Sequence, residues 1–209
     1  MKLIIATPSP YARKARIALR EKGIAYEEVV DNPWLPQTSI KQVNPLGKVP
    51  SLILEDGRVV HDSKVIVEYL DTLGREPRLI PQEPGLRVEH KQIEAIADGV
   101  CDAIVLVVLE RVRPEAKQSG DWIERQRLKI DAGMAELARL LGEGEWFTSH
   151  GFGLAEVATG CALGYSGLRY PEFKWQPLHP NLKRLYERLM ARPSFANTVP
   201  VPQQMPSVS

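Results

Sequence analysis

A small α/β domain followed by an all-helical domain is the fold class this sequence predicts, and three observations carry it. Short apolar runs alternate with helical stretches over the first ~75 residues. A stretch rich in proline and glycine, "GREPRLIPQEPG" at 74–85, then interrupts the pattern. Beyond it the strand signal stops, and long segments with apolar residues at helical spacing take over. The boundaries read as 1–76 for the first domain, 77–85 for the linker and 86–209 for the second domain, whose proline-rich tail covers 198–209.

Leu3-Ile4-Ile5-Ala6 reads as a buried strand. Residues 10–22 read as a helix, with Tyr11, Ala15, Ala18 and Leu19 on one face and Gly23 placed to end it. Tyr26 to Val30 is a second strand. Ser51–Leu54 and Arg58–Val60 flank Glu55-Asp56-Gly57, a hairpin signal. A helix beginning near Asp62-Ser63 puts Val65, Ile66, Tyr69, Leu70 and Leu73 on one face. The first domain is therefore β-α-β, a long connection, then β-β-α. In the second, Arg87–Arg111 and Asp121–Leu141 are long helices, and Leu154–Tyr165 and Leu182–Leu189 are shorter ones. The tail "TVPVPQQMPSVS" builds no packed element by itself and is expected to be extended or mobile. Two unlike halves in this order suggest a ligand cleft between them.

Composition narrows the function. Lys and Arg total 27 against 26 Asp and Glu, so no global field attracts nucleic acid or an anionic membrane. No apolar run approaches the ~20 residues of a membrane span. No secretory apolar region opens the chain, and Cys101 and Cys161 lack a CxxC spacing, so a reduced, cytoplasmic, disulfide-free protein is expected. His61, His90, His150 and His179 are scattered and form no metal pattern.

Three short stretches could carry chemistry. In "TPSPYARKARIAL", Ser9 can cap a helix whose first turn suits Pro10, or its hydroxyl can meet a substrate. Arg13 and Lys14 stand near enough to the helix start to favour an anion, whereas Arg16 and Arg20 fit a solvated face or contacts with the second domain. In "NPLGKVPSL", a cis Val49–Pro50 bond would turn the Val49 backbone outward to pair with an extended ligand, and an ordinary trans proline at a strand edge fits the same residues. In "VHDSKVIVEYL", Asp62 and Ser63 suit a helix cap. They also suit a zwitterion, with its ammonium at Asp62 and its carboxylate at Ser63.

These stretches resemble those of cytosolic glutathione S-transferases. "SPYARKARIAL" looks like the family's first helix, "NPLGKVPSL" like its cis-proline segment, "HDSKVIVEYL" like its acidic-Ser motif, and "LHPNLKRLYERLMARPSFANT" like its late helix. The pattern at Ser9 is similar to that of bacterial serine-type members. The resemblance implies a thioredoxin-like first domain that binds glutathione as co-substrate, without a metal. It implies that Ser9 donates a hydrogen bond to the glutathione sulfur and that Val49 pairs with the cysteinyl backbone beside a cis Pro50. Asp62 and Ser63 would hold the γ-glutamate, and Lys48 would lie near the glycine carboxylate. Thr7 and Tyr11 are rival donors, and Arg13 would add positive potential. A cysteine-type member would need a Cys near residue 9, and the first hundred residues contain none. Trp34, Val100, Ala103, Ile104 and Val107 are the implied lining of a hydrophobic electrophile pocket, and core packing explains the same residues.

The activity implied is a detoxifying transferase, cytoplasmic and homodimeric. A glutathione-dependent isomerase and a non-catalytic or regulatory binding protein of the same fold are the alternatives. One departure stands out. The family commonly opens a core helix of the second domain with Ser/Thr-x-x-Asp, and here Gly153 stands at the cap with Glu156 to reach back to it.

Overall fold

The computed structural model describes residues 1–204. The chain divides into two compact units, Met1–Ile80 joined by a returning segment from Arg192, and Pro81–Ala191.

In the first unit, β1 (Lys2–Ile5), β2 (Glu27–Val30), β3 (Ser51–Ile53) and β4 (Val59–Val60) form one sheet in the order β2-β1-β3-β4. β1 and β2 are parallel; β1–β3 and β3–β4 are antiparallel. Leu3, Ile4 and Ile5 are all buried, the mark of a central strand covered on both faces. The helix α1 (Pro10–Glu21) packs against β1 and against α2 (Ser63–Thr72). α1 ends in a Schellman motif. Gly23 takes φ 60°, its N–H donates to Arg20 O, and the Ile24 N–H donates to Leu19 O, which pairs two orphan carbonyls.

Two details differ from the sequence reading. The buried face of α2 carries Ile66, Val67 and Leu70, while Val65 and Leu73 are exposed. The face is rotated because Asp71 is drawn inward. Its carboxylate meets Lys22 Nζ at 2.6 Å and accepts from the N–H groups of Leu79 and Ile80. The buried ammonium also donates to the carbonyls of Arg75 and Pro77, so one ion pair fastens the start of the linker to both helices.

The second detail is the C-terminus. Expected as part of the helical half, the segment from Arg192 belongs to the first unit instead. Arg192 forms two hydrogen bonds to Glu21, at 2.9 and 2.7 Å, and Ser194 Oγ donates to the same carboxylate. Burial works against ionisation of Glu21, but the bonds from Arg192 and Ser194 outweigh it and hold the carboxyl below its ordinary range. Phe195, on the short helix α8 (Pro193–Ala196), is fully buried. Residues 199–204 form neither helix nor strand, as expected, yet they are hydrogen-bonded to the unit; positions 205–209 of the expected tail lie outside the described residues.

In the second unit, α3 (Pro84–Arg111) packs on α4 (Gly120–Leu141) and α5 (Leu154–Arg169), and α7 (Pro180–Met190) packs on α4, α5 and the single-turn α6 (Trp175–Leu178). Every residue of α5 from Leu154 to Ser166 is buried, so this helix is the centre of the unit. α3 and α4 approach closely at Gly133, where an added Cβ would lie 2.4 Å from Val100 Cγ2.

The start of α5 confirms the reach-back of Glu156 and adds partners that sequence could not supply. Glu156 accepts from the Gly153 N–H at 2.8 Å and from the Phe147 N–H at 3.0 Å. His90, on α3, accepts from the Ala155 N–H through Nδ1 at 3.4 Å and bonds Thr148 Oγ1 through Nε2 at 2.8 Å. An N-cap side chain ordinarily serves the N2 or N3 amide. Glycine has none, and the imidazole of another helix serves the N2 amide here. Burial, and then the His150 ring 5.3 Å away, push His90 down to about 4; burial pushes Glu156 up to about 7.

Candidate functional site

The sheet register brings the three sequence stretches together. Ile4 is paired with Ser51, so the end of β1 lies beside the start of β3; Leu52 is paired with Val60, so the end of β4 lies there too. The turn carrying Ser9, the Val49-Pro50 segment and the Asp62-Ser63 helix start therefore share one end of the sheet. Ile5 is paired with Val30 in parallel, which adds the loop after β2, with Asn32 and Trp34. Two helices, α1 and α2, begin at this end, so the positive ends of both helix dipoles lie there.

Ser9 is the N-cap of α1. Its backbone is extended, its N–H donates to Ala6 O at 3.0 Å, and its Oγ accepts from the Ala12 N–H at 3.1 Å. A hydroxyl offers two acceptor lone pairs and one proton. The cap uses a lone pair, so capping leaves the proton available to an external acceptor. Ser9 is half-buried, at the surface yet fixed by the turn.

The rival and auxiliary residues are placed differently. Thr7 Oγ1 donates to Val201 O at 3.2 Å, so its proton is committed to the C-terminal segment. Tyr11 is half-buried on the first turn of α1. Arg13 and Lys14 are each only 1% exposed. Arg13 donates to Phe195 O at 3.2 Å with its guanidinium 5.5 Å from the Phe195 ring centroid, so it secures the returning segment, a partner the sequence did not reveal. Arg16 pairs with Glu28 inside the same unit at 2.8 Å, and Arg20 is exposed.

The Val49–Pro50 peptide bond is cis, and Pro50 is buried. The preceding loop is shaped by the buried Asn44, which donates to Lys48 O at 2.8 Å and accepts from the Leu46 N–H at 3.0 Å. Among the described residues neither the N–H nor the C=O of Val49 makes a hydrogen bond, and the Lys48 side chain is exposed. Asp62 caps α2 by accepting from the Lys64 N–H at 3.0 Å through Oδ1; Ser63 is the first residue of that helix. The His61–Asp62 bond is also cis.

Trp34 is half-buried, and its N–H donates to Asn32 Oδ1 at 3.2 Å. Val100, Ala103, Ile104 and Val107 are all buried on α3, and Val100 fills the notch left by Gly133. Cys101 and Cys161 are buried as well. Among the described residues no helix is long and apolar enough to cross a membrane.

Comparison with known proteins bears on this arrangement. The family model described as "Glutathione S-transferase, N-terminal domain" matches residues 8–73, and that of the C-terminal domain matches residues 120–188. The uncharacterized GST-like protein YibF of Escherichia coli (strain K12) is 40% identical over 200 residues, covering 96% of this chain and 98% of its own. The maleylacetoacetate isomerase of Pseudomonas aeruginosa is 27% identical over 97% of both chains. A crystal structure of a glutathione S-transferase from Methylobacterium radiotolerans, in complex with glutathione sulfonate, superposes with a TM-score of 0.96 at 46% identity, covering 100% of this chain and 98% of that one.

Proposed function

The chain belongs to the glutathione S-transferase family, and on that premise we propose that it binds glutathione at the shared end of its sheet and activates the thiol through Ser9. The observation that carries this reading is the state of the Ser9 hydroxyl, which caps α1 as an acceptor and keeps its proton for an anion at the helix start. A free thiol with a pKa near ~8.5 is only a few per cent thiolate at pH 7. A hydrogen bond to the anion lowers that pKa, each unit being worth about 1.36 kcal/mol, and the α1 N-terminus acts in the same direction. Ser9 does not remove the proton. It stabilises the sulfur that has lost one to solvent. The sulfur lone pair then forms a bond to an electrophilic carbon, and the displaced electron pair leaves with the leaving group or moves along a double bond.

The tripeptide itself would be held by the remaining residues of the three stretches. The unused Val49 N–H and C=O would pair with its cysteinyl backbone as a neighbouring strand would. Asp62 would take the ammonium, the N–H groups at Ser63 the γ-glutamyl carboxylate, and Lys48 the glycine carboxylate. In this reading the second substrate is a hydrophobic electrophile that meets Trp34 on the first unit; Val100, Ala103, Ile104 and Val107 are at most 1% exposed, and the core packing of their own unit accounts for them. The assembly in this reading is a cytoplasmic homodimer.

Ser9→Ala tests the role directly. The pH–rate profile shifts to higher pH, kcat falls about a hundredfold, and glutathione affinity measured by calorimetry is retained. An unchanged profile would move the role to Tyr11, because Thr7 already donates elsewhere. Isomerase chemistry uses the same thiolate, and similarity to a maleylacetoacetate isomerase keeps that reading in play. Product mass separates adduct from isomer. Absence of any binding at millimolar glutathione would favour the non-catalytic binding protein.

A further inference from the structure

The C-terminal segment makes contacts that neither the fold nor the thiol chemistry requires. Its root is strongly held. Arg192 and Ser194 grip Glu21, Phe195 is buried under Arg13, and Thr198, itself 1% exposed, donates back to Ser194 O at 2.7 Å. From there the chain runs along the end of the sheet that carries the candidate site.

Its first clasp is on Thr7. The Val201 N–H donates to Thr7 O at 3.4 Å, and Thr7 Oγ1 donates to Val201 O at 3.2 Å. Thr7 lies inside the turn closed by the Ser9 N–H to Ala6 O bond, so this clasp restrains the turn that aims the Ser9 hydroxyl. The second clasp is on the loop after β2. Asn32 Nδ2 donates to Gln204 O at 2.7 Å, and Gln203 Nε2 donates to Asp31 O at 3.4 Å. Asn32 Oδ1 meanwhile accepts from the Trp34 N–H, so one amide side chain ties the strap to the loop of Trp34.

We propose that residues 199–204 are a positioning strap, which holds the Ser9 turn and the Asn32–Trp34 loop in fixed relation and thereby sets the donor geometry at the glutathione sulfur. Asn32 is a positioning residue within it. The proposal rests on the glutathione reading for its chemical consequence, and its mechanical part stands on the two clasps alone. Without the clasp the turn keeps its sequence and its cap but samples more orientations, and misplacement of a catalytic donor by even an ångström is costly.

The test compares a chain ending at Gln204 with one ending at Thr198, since both keep the anchored root. The strap predicts faster amide hydrogen exchange at Ser9 and Trp34 in the shorter chain. It also predicts a kcat about tenfold lower, a pH–rate profile displaced to higher pH, and unchanged glutathione affinity. Asn32→Ala in the full chain breaks one clasp and serves if the shorter chain fails to fold; it accelerates exchange at Ser9, whose own hydrogen bond it leaves intact, and shifts the profile in the same direction by less. Equal exchange and superimposable pH profiles for the two chains would overturn the proposal. If the full chain binds no glutathione, the Ser9 reading fails by itself, and the exchange comparison still decides whether the strap exists.

Discussion

Replacing Glu156 by Gln should expose a balance of two buried titrations at the start of α5. Burial raises the Glu156 carboxyl from its ordinary 4.5 to about 7, against the smaller opposing effect of the Phe147 and Gly153 N–H groups. The folded protein therefore holds this proton more tightly than the unfolded chain. Stability from Glu156 is fully present below pH 4.5 and is lost as pH rises through about 7, a loss of about 3 kcal/mol at about 1.36 kcal/mol per pKa unit. His90 runs the other way. Burial lowers it from 6.5 to about 4, so its contribution is present above pH 6.5 and lost as pH falls through about 4, again about 3 kcal/mol. Between pH 4.5 and pH 6.5 the contributions of these two groups nearly cancel. Glu156→Gln removes one limb. The variant should gain stability steadily as pH rises over that window, by about 2–3 kcal/mol. It should also lie about 1–3 kcal/mol below the wild type at the acid end, because the amide leaves a buried N–H without an acceptor. Urea unfolding from about pH 4.5 to about pH 7.5, extrapolated to water at each pH, measures both quantities. Parallel stability curves for the two proteins would mean that Glu156 titrates alike in the folded and unfolded chains and carries no such proton linkage.

Two further substitutions test packing. Asp71→Ala leaves the fully buried Lys22 ammonium without its carboxylate and the Leu79 and Ile80 N–H groups without an acceptor; it should cost about 3–5 kcal/mol in chemical unfolding, with Asp71→Asn milder. Gly133→Ala drives a methyl to 2.4 Å from Val100 and should cost about 1–3 kcal/mol despite alanine's better helix propensity, whereas Gly99→Ala, with nothing within 4 Å, should gain about 0.5–1 kcal/mol; thermal melts that rank the two in the opposite order would contradict the close approach of α3 and α4.

The sequence by itself determined what depends on local chemistry. Gly23 had to end the first helix, and its Schellman geometry does so. The Glu55-Asp56-Gly57 hairpin, the Ser9 and Asp62 caps and the reach of Glu156 to Gly153 all act over a few residues, and all were legible. The motif set at Ser9, Val49-Pro50 and Asp62-Ser63 was legible too, through its resemblance to a family. Tertiary structure alone decided where long-range partners fall. Arg13 looked like a charge waiting for an anion, because nothing near it in sequence reveals that Phe195 and its carbonyl come to it. Val65 was expected inside α2 because apolar spacing cannot foresee that Lys22 draws Asp71 inward. His90 gave no local sign that it serves the helix start at Ala155. The tail carries too few apolar residues to pack by itself, and its described residues 199–204 are held by hydrogen bonds to Thr7 and Asn32, groups more than 160 positions away. Caps and turns are written in adjacent residues, whereas the pairing of buried polar groups is settled only when the chain has brought distant segments together and each donor must find an acceptor.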